Sequence, residues 1–100
     1  MGWMSFCAVL LLWAVAALAN DLDLAQQGRQ TYNSYCITCH GPNLVNFGTR
    51  APDLRKFPLD QSQRFVDSVM NGKDAMPAWK DTLSEEDVLA VWAYVKTRGK

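Results

Sequence analysis

The chain is short of histidine, of cysteine and of net charge. Its 100 residues include 1 histidine and 3 cysteines, and 10 basic side chains balance 10 acidic ones. Nucleic-acid-binding proteins usually carry a basic excess, so this balance argues against a nucleic-acid partner. A site that needs two histidines from one chain is excluded. The length allows one small domain.

The N-terminal apolar run predicts a secretory signal. Residues 1–19 contain 17 apolar residues and no charged side chain, and they end in the small-x-small tripeptide Ala17–Ala19. That ending is typical of a signal-peptidase site, so we expect cleavage before Asn20 and a mature domain of residues 20–100. The alternatives are an uncleaved N-terminal anchor and a lipoprotein that uses Cys7. Cleavage would leave no segment for stable membrane insertion.

The two remaining cysteines, Cys36 and Cys39, cannot build a disulfide framework. They are too close in sequence to join distant parts of a fold. A domain of about 80 residues has a thin core and often needs disulfides or a tightly held cofactor. With disulfides excluded, the sequence favours a cofactor.

Apolar periodicity predicts an all-α fold, and the first helix covers about residues 25–37. Asp21 or Asp23 can cap this helix. One face is expected to pack inward, and its spaced residues are Leu24, Gly28, Tyr32 and Tyr35.

A second helix is predicted to begin at Asp60 or Ser62 and to end at Asn71-Gly72. Its inner stripe consists of Phe65, Val66, Val69 and Met70. Long loops over residues 41–58 and 73–82 flank this helix. Loops of that length are uncommon in a compact domain unless they have a function.

A third long helix follows Ser84. Asp87 lies three residues after this serine, so the pair resembles a capping box with aspartate in the usual Glu or Gln position. The stripe of this helix has helical spacing and consists of Val88, Val91, Trp92 and Val95.

Cys36, Cys39 and His40 form the motif C-x-x-C-H, the attachment signature of c-type haem. Two cysteines three positions apart on a helical turn can reach the two vinyl groups at one porphyrin edge and form thioethers. The adjacent His40 then lies below the ring, where its Nε2 can bind the iron. A structural zinc site needs four ligands, and a thioredoxin-like dithiol needs a βαβ context, so neither alternative fits.

Met76 is the predicted second axial ligand. Met70 lies on the apolar stripe of the second helix, so a core role is expected for it. Met76 lies in a loop directly before Pro77, which restricts Met76 to extended backbone angles. The alternative is that Met76 only packs on the haem edge.

His/Met ligation makes haem iron six-coordinate and raises its reduction potential. A filled coordination sphere leaves no site for peroxide or oxygen, so the sequence predicts an electron carrier and not an enzyme. The alternatives are a peroxidase-like haem enzyme and a gas-binding sensor. Both require a labile methionine ligand.

Four short motifs together resemble the class I cytochromes c over essentially the whole mature chain. They are Gly28-x-x-x-Tyr32-x-x-x-Cys36-x-x-Cys39-His40-Gly41, Pro52-Asp53-Leu54, Met76-Pro77 and Val91-Trp92-Ala93-Tyr94-Val95. Within the family, the chain looks most like small bacterial periplasmic cytochromes and the haem domains of quinohaemoprotein alcohol dehydrogenases. The resemblance implies three to four helices with long loops wrapped around one covalently bound haem c.

The resemblance also implies roles for individual residues. Gly28 would let the first helix cross closely against the last, with Tyr32 and Tyr94 packed at the crossing. Pro52 lies twelve residues after His40, and its carbonyl would accept a hydrogen bond from the Nδ1–H of that histidine. Such a bond orients the ring and fixes its tautomer.

Two further side chains would contact the haem by the same resemblance. Arg55, or else Arg50, would pair with a propionate, the alternative being an exposed loop arginine. Trp79 would pack against the ring edge or donate its indole N–H to a propionate.

The implied function is that of a periplasmic carrier of single electrons. The resemblance suggests a quinoprotein dehydrogenase as donor and a terminal oxidase or another cytochrome as acceptor. We expect a monomer that docks on these partners through local patches.

Overall fold

The computed structural model describes residues 20–100, and this part of the chain is helical. Its α-helices are α1 (20–35), α2 (Ile37–His40), α3 (Ser62–Asn71) and α4 (Glu85–Lys96), and its 3₁₀ helices are Pro42–Leu44 and Leu54–Lys56. Between residues 20 and 100 no strand forms beyond an isolated bridge that joins Lys73 and Met76. The predicted all-α class is confirmed. The predicted signal sequence and Cys7 lie outside the described residues.

α1 differs from its prediction at both ends. Its helical backbone already includes residue 20, so Asp21 and Asp23 lie inside the helix and the predicted cap is wrong. Asp23 instead accepts a hydrogen bond of 3.0 Å from the Gln27 side chain one turn later. Such a bond between residues i and i+4 is typical of positions inside a helix. At the other end, Cys36 is a turn residue that separates α1 from α2.

The predicted inner face of α1 is buried only at its centre. Gly28 and Tyr32 are buried, whereas Leu24 is 38% exposed and Tyr35 is 42% exposed. Packed helices cross at an angle and diverge on either side of the contact, so one crossing buries only a short part of a stripe.

Gly28 marks the crossing of α1 and α4. A Cβ added at this position would overlap the carbonyl oxygen of Ala90, so the two backbones approach as only glycine allows. The rings of Tyr32 and Tyr94 pack beside the crossing, with centroids 5.3 Å apart and an interplanar angle of 56°. The crossing predicted for Gly28, Tyr32 and Tyr94 is confirmed.

α3 and α4 follow their predictions closely. α3 begins at Ser62, the second of the two expected starts, and ends at a Gly72 C-cap. α4 begins with the predicted capping box, in which Ser84 Oγ accepts from the Asp87 amide at 3.1 Å and Asp87 Oδ2 accepts from the Ser84 amide at 3.0 Å. The stripe of α4 is fully buried, as expected.

The core lies where α4 packs on α3 and α1. Its aromatic centre is the pair Phe65 and Trp92, whose ring centroids are 5.0 Å apart. Further apolar side chains pack against this core but remain half-buried: Cys36, Leu54, Phe57, Val69, Met70 and Trp79. Among the helices of residues 20–100, none has the length and apolar character needed to cross a membrane.

Candidate haem site

The end of α1 and the single turn of α2 place the C-x-x-C-H residues together. Cys36 is half-buried against the core and Cys39 is exposed, and both thiols are free. The His40 amide donates to the Cys36 carbonyl at 3.0 Å, which closes the turn between them. Burial raises the pKa of Cys36 to about 11, with the neighbouring Cys39 adding to the effect.

Gly41 ends this turn in a conformation that favours glycine. Its φ is +83°, and a Cβ here would overlap the carbonyl oxygen of Val45. The buried Tyr32 hydroxyl donates to the Gly41 carbonyl at 2.5 Å. The helix crossing is thereby tied to the end of the C-x-x-C-H turn.

His40 lies against the loop that follows it. Its Nδ1 is 3.3 Å from the carbonyl oxygen of Pro52, the partner that the resemblance implied. A carbonyl only accepts hydrogen bonds, so Nδ1 must carry the proton and Nε2 has the free lone pair of the neutral ring. Burial lowers the pKa of His40, and the bond to Pro52 offsets part of that lowering. The neutral imidazole is the form that binds metals.

Side-chain bonds shape the loop between His40 and Pro52. The Asn46 amide donates to the carbonyl oxygens of Thr49, at 3.2 Å, and Ala51, at 2.7 Å. The Thr49 hydroxyl donates to the Cys39 carbonyl at 2.5 Å. These polar residues were not predicted as part of the site, because nothing in their spacing identifies their partners.

A tight backbone turn holds Met76. Its amide donates to the Lys73 carbonyl at 2.9 Å, and the Lys73 amide donates back to the Met76 carbonyl at 3.1 Å. The next residues lie back along the end of α3, since the Trp79 amide donates to the Val69 carbonyl at 3.0 Å. Met76 is half-buried, and its backbone is fixed on both sides.

Trp79 joins this loop to the C-x-x-C-H turn. Its ring packs edge-on against Tyr35, the last residue of α1, with centroids 5.6 Å apart. Trp79 is also half-buried against the core. The structure thus brings the methionine loop next to the residue that precedes Cys36.

Arg55 is engaged by a neighbour within the described chain. Its Nε and Nη2 donate to the two carboxylate oxygens of Asp53, each at 2.9 Å. The bonds to Arg55 lower the pKa of Asp53 to about 2. The sequence analysis did not identify this pair, although two opposite charges at i and i+2 beside Pro52 are a signal for it.

The donor set and the surrounding side chains fit a covalently bound haem. The site supplies two free thiols, an imidazole with its Nε2 unengaged, and a thioether on a fixed loop. Cys36 and Trp79 are among the apolar side chains that pack on the core and stay partly exposed, so they remain available to contact a porphyrin. Across residues 20–100, no three His, Cys, Asp or Glu side chains converge as a metal-ion cluster.

Comparisons with known proteins point in the same direction. Residues 23–95 match the family model described as cytochrome c oxidase, cbb3-type, subunit III. The chain is 41% identical over 97 residues to the chloroplastic cytochrome c6 of Chlamydomonas reinhardtii, which covers 88% of this chain and 63% of that protein. It is 40% identical over 84 residues to cytochrome c6 of Tetradesmus obliquus, with 73% and 88% covered.

A larger relative contains a similar segment. The chain is 33% identical over 79 residues to the quinohemoprotein alcohol dehydrogenase ADH IIB of Pseudomonas putida, which covers 76% of this chain and 11% of that protein. The chain spans less than two thirds of the Chlamydomonas protein. No solved structure matches the chain significantly.

Proposed function

Because the chain belongs to the class I c-type cytochromes, we propose that it carries single electrons in the periplasm through a haem ligated by His40 and Met76. The family carries one covalently bound haem c, and the chain is a haem-based electron carrier and not an enzyme. The bound group supplies the reversible one-electron chemistry of its iron.

Each site residue has a stated role in this proposal. Cys36 and Cys39 form the thioether links, and His40 offers Nε2 while Pro52 holds its Nδ1–H. Met76 offers its sulfur from the turn fixed by Lys73. The methionine turn is the observation that carries the proposal, since hydrogen bonds on both sides of Met76 favour a ligand that stays at the iron and keeps substrates from it.

Trp79 and Arg55 have supporting roles in the proposal. Trp79 packs between Tyr35 and the core, which supports a position at the haem edge. Arg55, or else Arg50, pairs with a propionate. For Arg55 this requires the guanidinium to share its donors between Asp53 and the propionate.

The axial ligation can be tested by the weak near-infrared band of methionine sulfur bound to ferric haem. We expect this band in the oxidised protein and its loss in Met76→Ala, together with a lower potential, because a thioether raises the potential. Met70→Ala is the matched control and should keep the band, since Met70 packs on the core. Absence of the band in the native protein, with rapid binding of carbon monoxide after reduction, would instead indicate a sensor or an enzyme.

The proposed partners are redox proteins. The name of the Pseudomonas putida relative supports a quinoprotein dehydrogenase as donor, and the oxidase named in the family description supports a terminal oxidase or another cytochrome as acceptor. Stopped-flow mixing with a reduced quinoprotein alcohol dehydrogenase should reduce the haem in a second-order reaction. Reduction no faster than by a soluble chemical reductant of equal potential would contradict this donor.

The proposed location requires export of the domain. We expect the exported protein to begin at Asn20 after removal of residues 1–19. N-terminal sequencing of the periplasmic fraction tests this start. A retained N-terminus in the membrane fraction would favour the anchor.

A further inference from the structure

The charged pair Asp53 and Arg55 lies directly after the carbonyl that contacts His40. Asp53 Oδ1 accepts from the Arg55 amide at 3.0 Å and from Arg55 Nε at 2.9 Å, and Oδ2 accepts from Nη2 at 2.9 Å. Three bonds therefore join one carboxylate to one residue. We call this arrangement the Asp53–Arg55 clamp.

The clamp acts on a peptide that also contains the partner of His40. The carbonyl of Pro52 and the amide of Asp53 belong to one planar peptide unit, so the conformation of Asp53 sets the direction of the Pro52 oxygen. The φ of proline is fixed, so the ψ of Pro52 is the main rotation left to this peptide unit on its N-terminal side. The Pro52 oxygen lies 3.3 Å from His40 Nδ1, at the outer limit of an N–H···O hydrogen bond, so a small rotation would break the contact.

We propose that Asp53 and Arg55 are positioning residues, which hold the Pro52 carbonyl against His40 and thereby lower the reduction potential of the haem. This inference rests on the proposed ligation of iron by His40. Donation from Nδ1–H to a carbonyl raises the basicity of the ligating ring. A more basic ligand favours the oxidised iron, so an intact clamp lowers the reduction potential.

The surroundings give the clamp a rigid base. The Lys56 amide donates to the Asp53 carbonyl at 3.1 Å, and Arg98 Nη1 donates to the Leu54 carbonyl at 3.3 Å. The side chains of Arg55 and Asp53 remain 45% and 26% exposed, and ion pairs this exposed contribute little to stability. The pair is therefore better explained by orientation of the Pro52 carbonyl than by stabilisation of the fold. The pKa of Asp53, about 2, keeps its carboxylate ionised at neutral pH.

The test compares reduction potentials of haem-loaded variants. Arg55→Gln should raise the potential and shift the ratio of reduced to oxidised protein about threefold, or about 28 mV at 59 mV per tenfold change. Simple removal of a positive charge would lower the potential, so the sign separates the two causes. Asp53→Asn should raise the potential by more than Arg55→Gln, because the lost negative charge adds to the broken clamp. The potential of the charge-neutral double variant should rise to a value between those of the two single variants.

Two exposed residues provide charge-matched controls. Asp60→Asn and Lys56→Gln remove charges from the same loop without touching the clamp bonds, and should move the potential only slightly, in the directions set by charge. A second readout is the proton resonance of His40 Nδ1–H, which should move upfield in the clamp variants as its hydrogen bond weakens.

A lowered or unchanged potential in Arg55→Gln would overturn the proposal, because the charge of Arg55 and not its hold on the Pro52 carbonyl would then set the potential. An unchanged double variant would also overturn it. The near-infrared methionine band distinguishes this failure from that of the proposed function. If the native protein lacks the band, the proposed ligation by Met76 is wrong. The Nδ1–H resonance of His40 still tests the clamp in that case.

Discussion

At the scale of the residue, close backbone contacts decide which positions tolerate change. Gly28 contacts Ala90 through backbone atoms alone, and Gly41 meets Val45 in the same way. Neither contact depends on side-chain chemistry. Glycine at the first position lowers helix propensity by about 1 kcal/mol relative to alanine, so its presence is explained by the crossing and not by the helix.

Gly28→Ala is therefore expected to destabilise the protein although it raises helix propensity. The added methyl group would force α1 and α4 apart and loosen the Tyr32–Tyr94 packing. We expect the free energy of unfolding of the haem-loaded protein to fall by about 2–3 kcal/mol in denaturant titrations.

Asn33→Ala is the matched control on the exposed side of the same helix. It should leave the stability unchanged or slightly raised, because alanine is the better helix former. A Gly28→Ala protein as stable as this control would show that the crossing can relax at little cost.

At the scale of the element, the sequence predicts the helices that have a clear apolar stripe and end signals. It does not predict the segments whose shape depends on hydrogen bonds to residues outside the local pattern. α3 and α4 have clear stripes and end signals, and their positions agree with the sequence analysis. The break at Cys36 was missed because helical spacing continues through a single turn residue. The loop after Gly41 depends on the bonds of Asn46 and Thr49 to distant carbonyls, which no periodicity encodes.

The site shows the same division. The C-x-x-C-H motif identifies its own residues, and Met76 stands out by its place before Pro77. The twelve-residue spacing from His40 to Pro52 was available only through the family resemblance. The bonds from Asp53 to Arg55 become visible only in the folded loop.

The capping box of α4 gives a prediction at this scale. Ser84→Ala removes the acceptor for the Asp87 amide and leaves an unsatisfied donor at the helix start. We expect a loss of about 1 kcal/mol in the free energy of unfolding, with little change in the haem spectrum.

Ser34→Ala serves as the comparison for this substitution. Ser34 lies within α1, where its hydroxyl only bonds back to the Gln30 carbonyl at 3.0 Å, so its removal should be nearly neutral. Equal effects of the two substitutions on stability would mean that the cap does not stabilise α4.

At the scale of the whole molecule, the core is small. The core cluster has ten buried residues, and no charged side chain is buried among the described residues. Val69, Met70 and Trp79 pack on this cluster yet remain partly exposed. The two described cysteines are unpaired thiols, so no disulfide stabilises this small core within residues 20–100.

Loss of the haem is therefore expected to leave the chain largely unfolded. The haem would add a large apolar body to the small core and join α2 to the methionine loop, whereas the bare chain must order both loops for a small gain in burial. Circular dichroism of the domain produced without haem attachment should show little near-ultraviolet signal and no cooperative melting, in contrast to the haem-loaded domain. A compact apoprotein that melts cooperatively would show instead that the packing of α1, α3 and α4 suffices by itself. The haem would then be an electron-transfer group in a fold that does not need it.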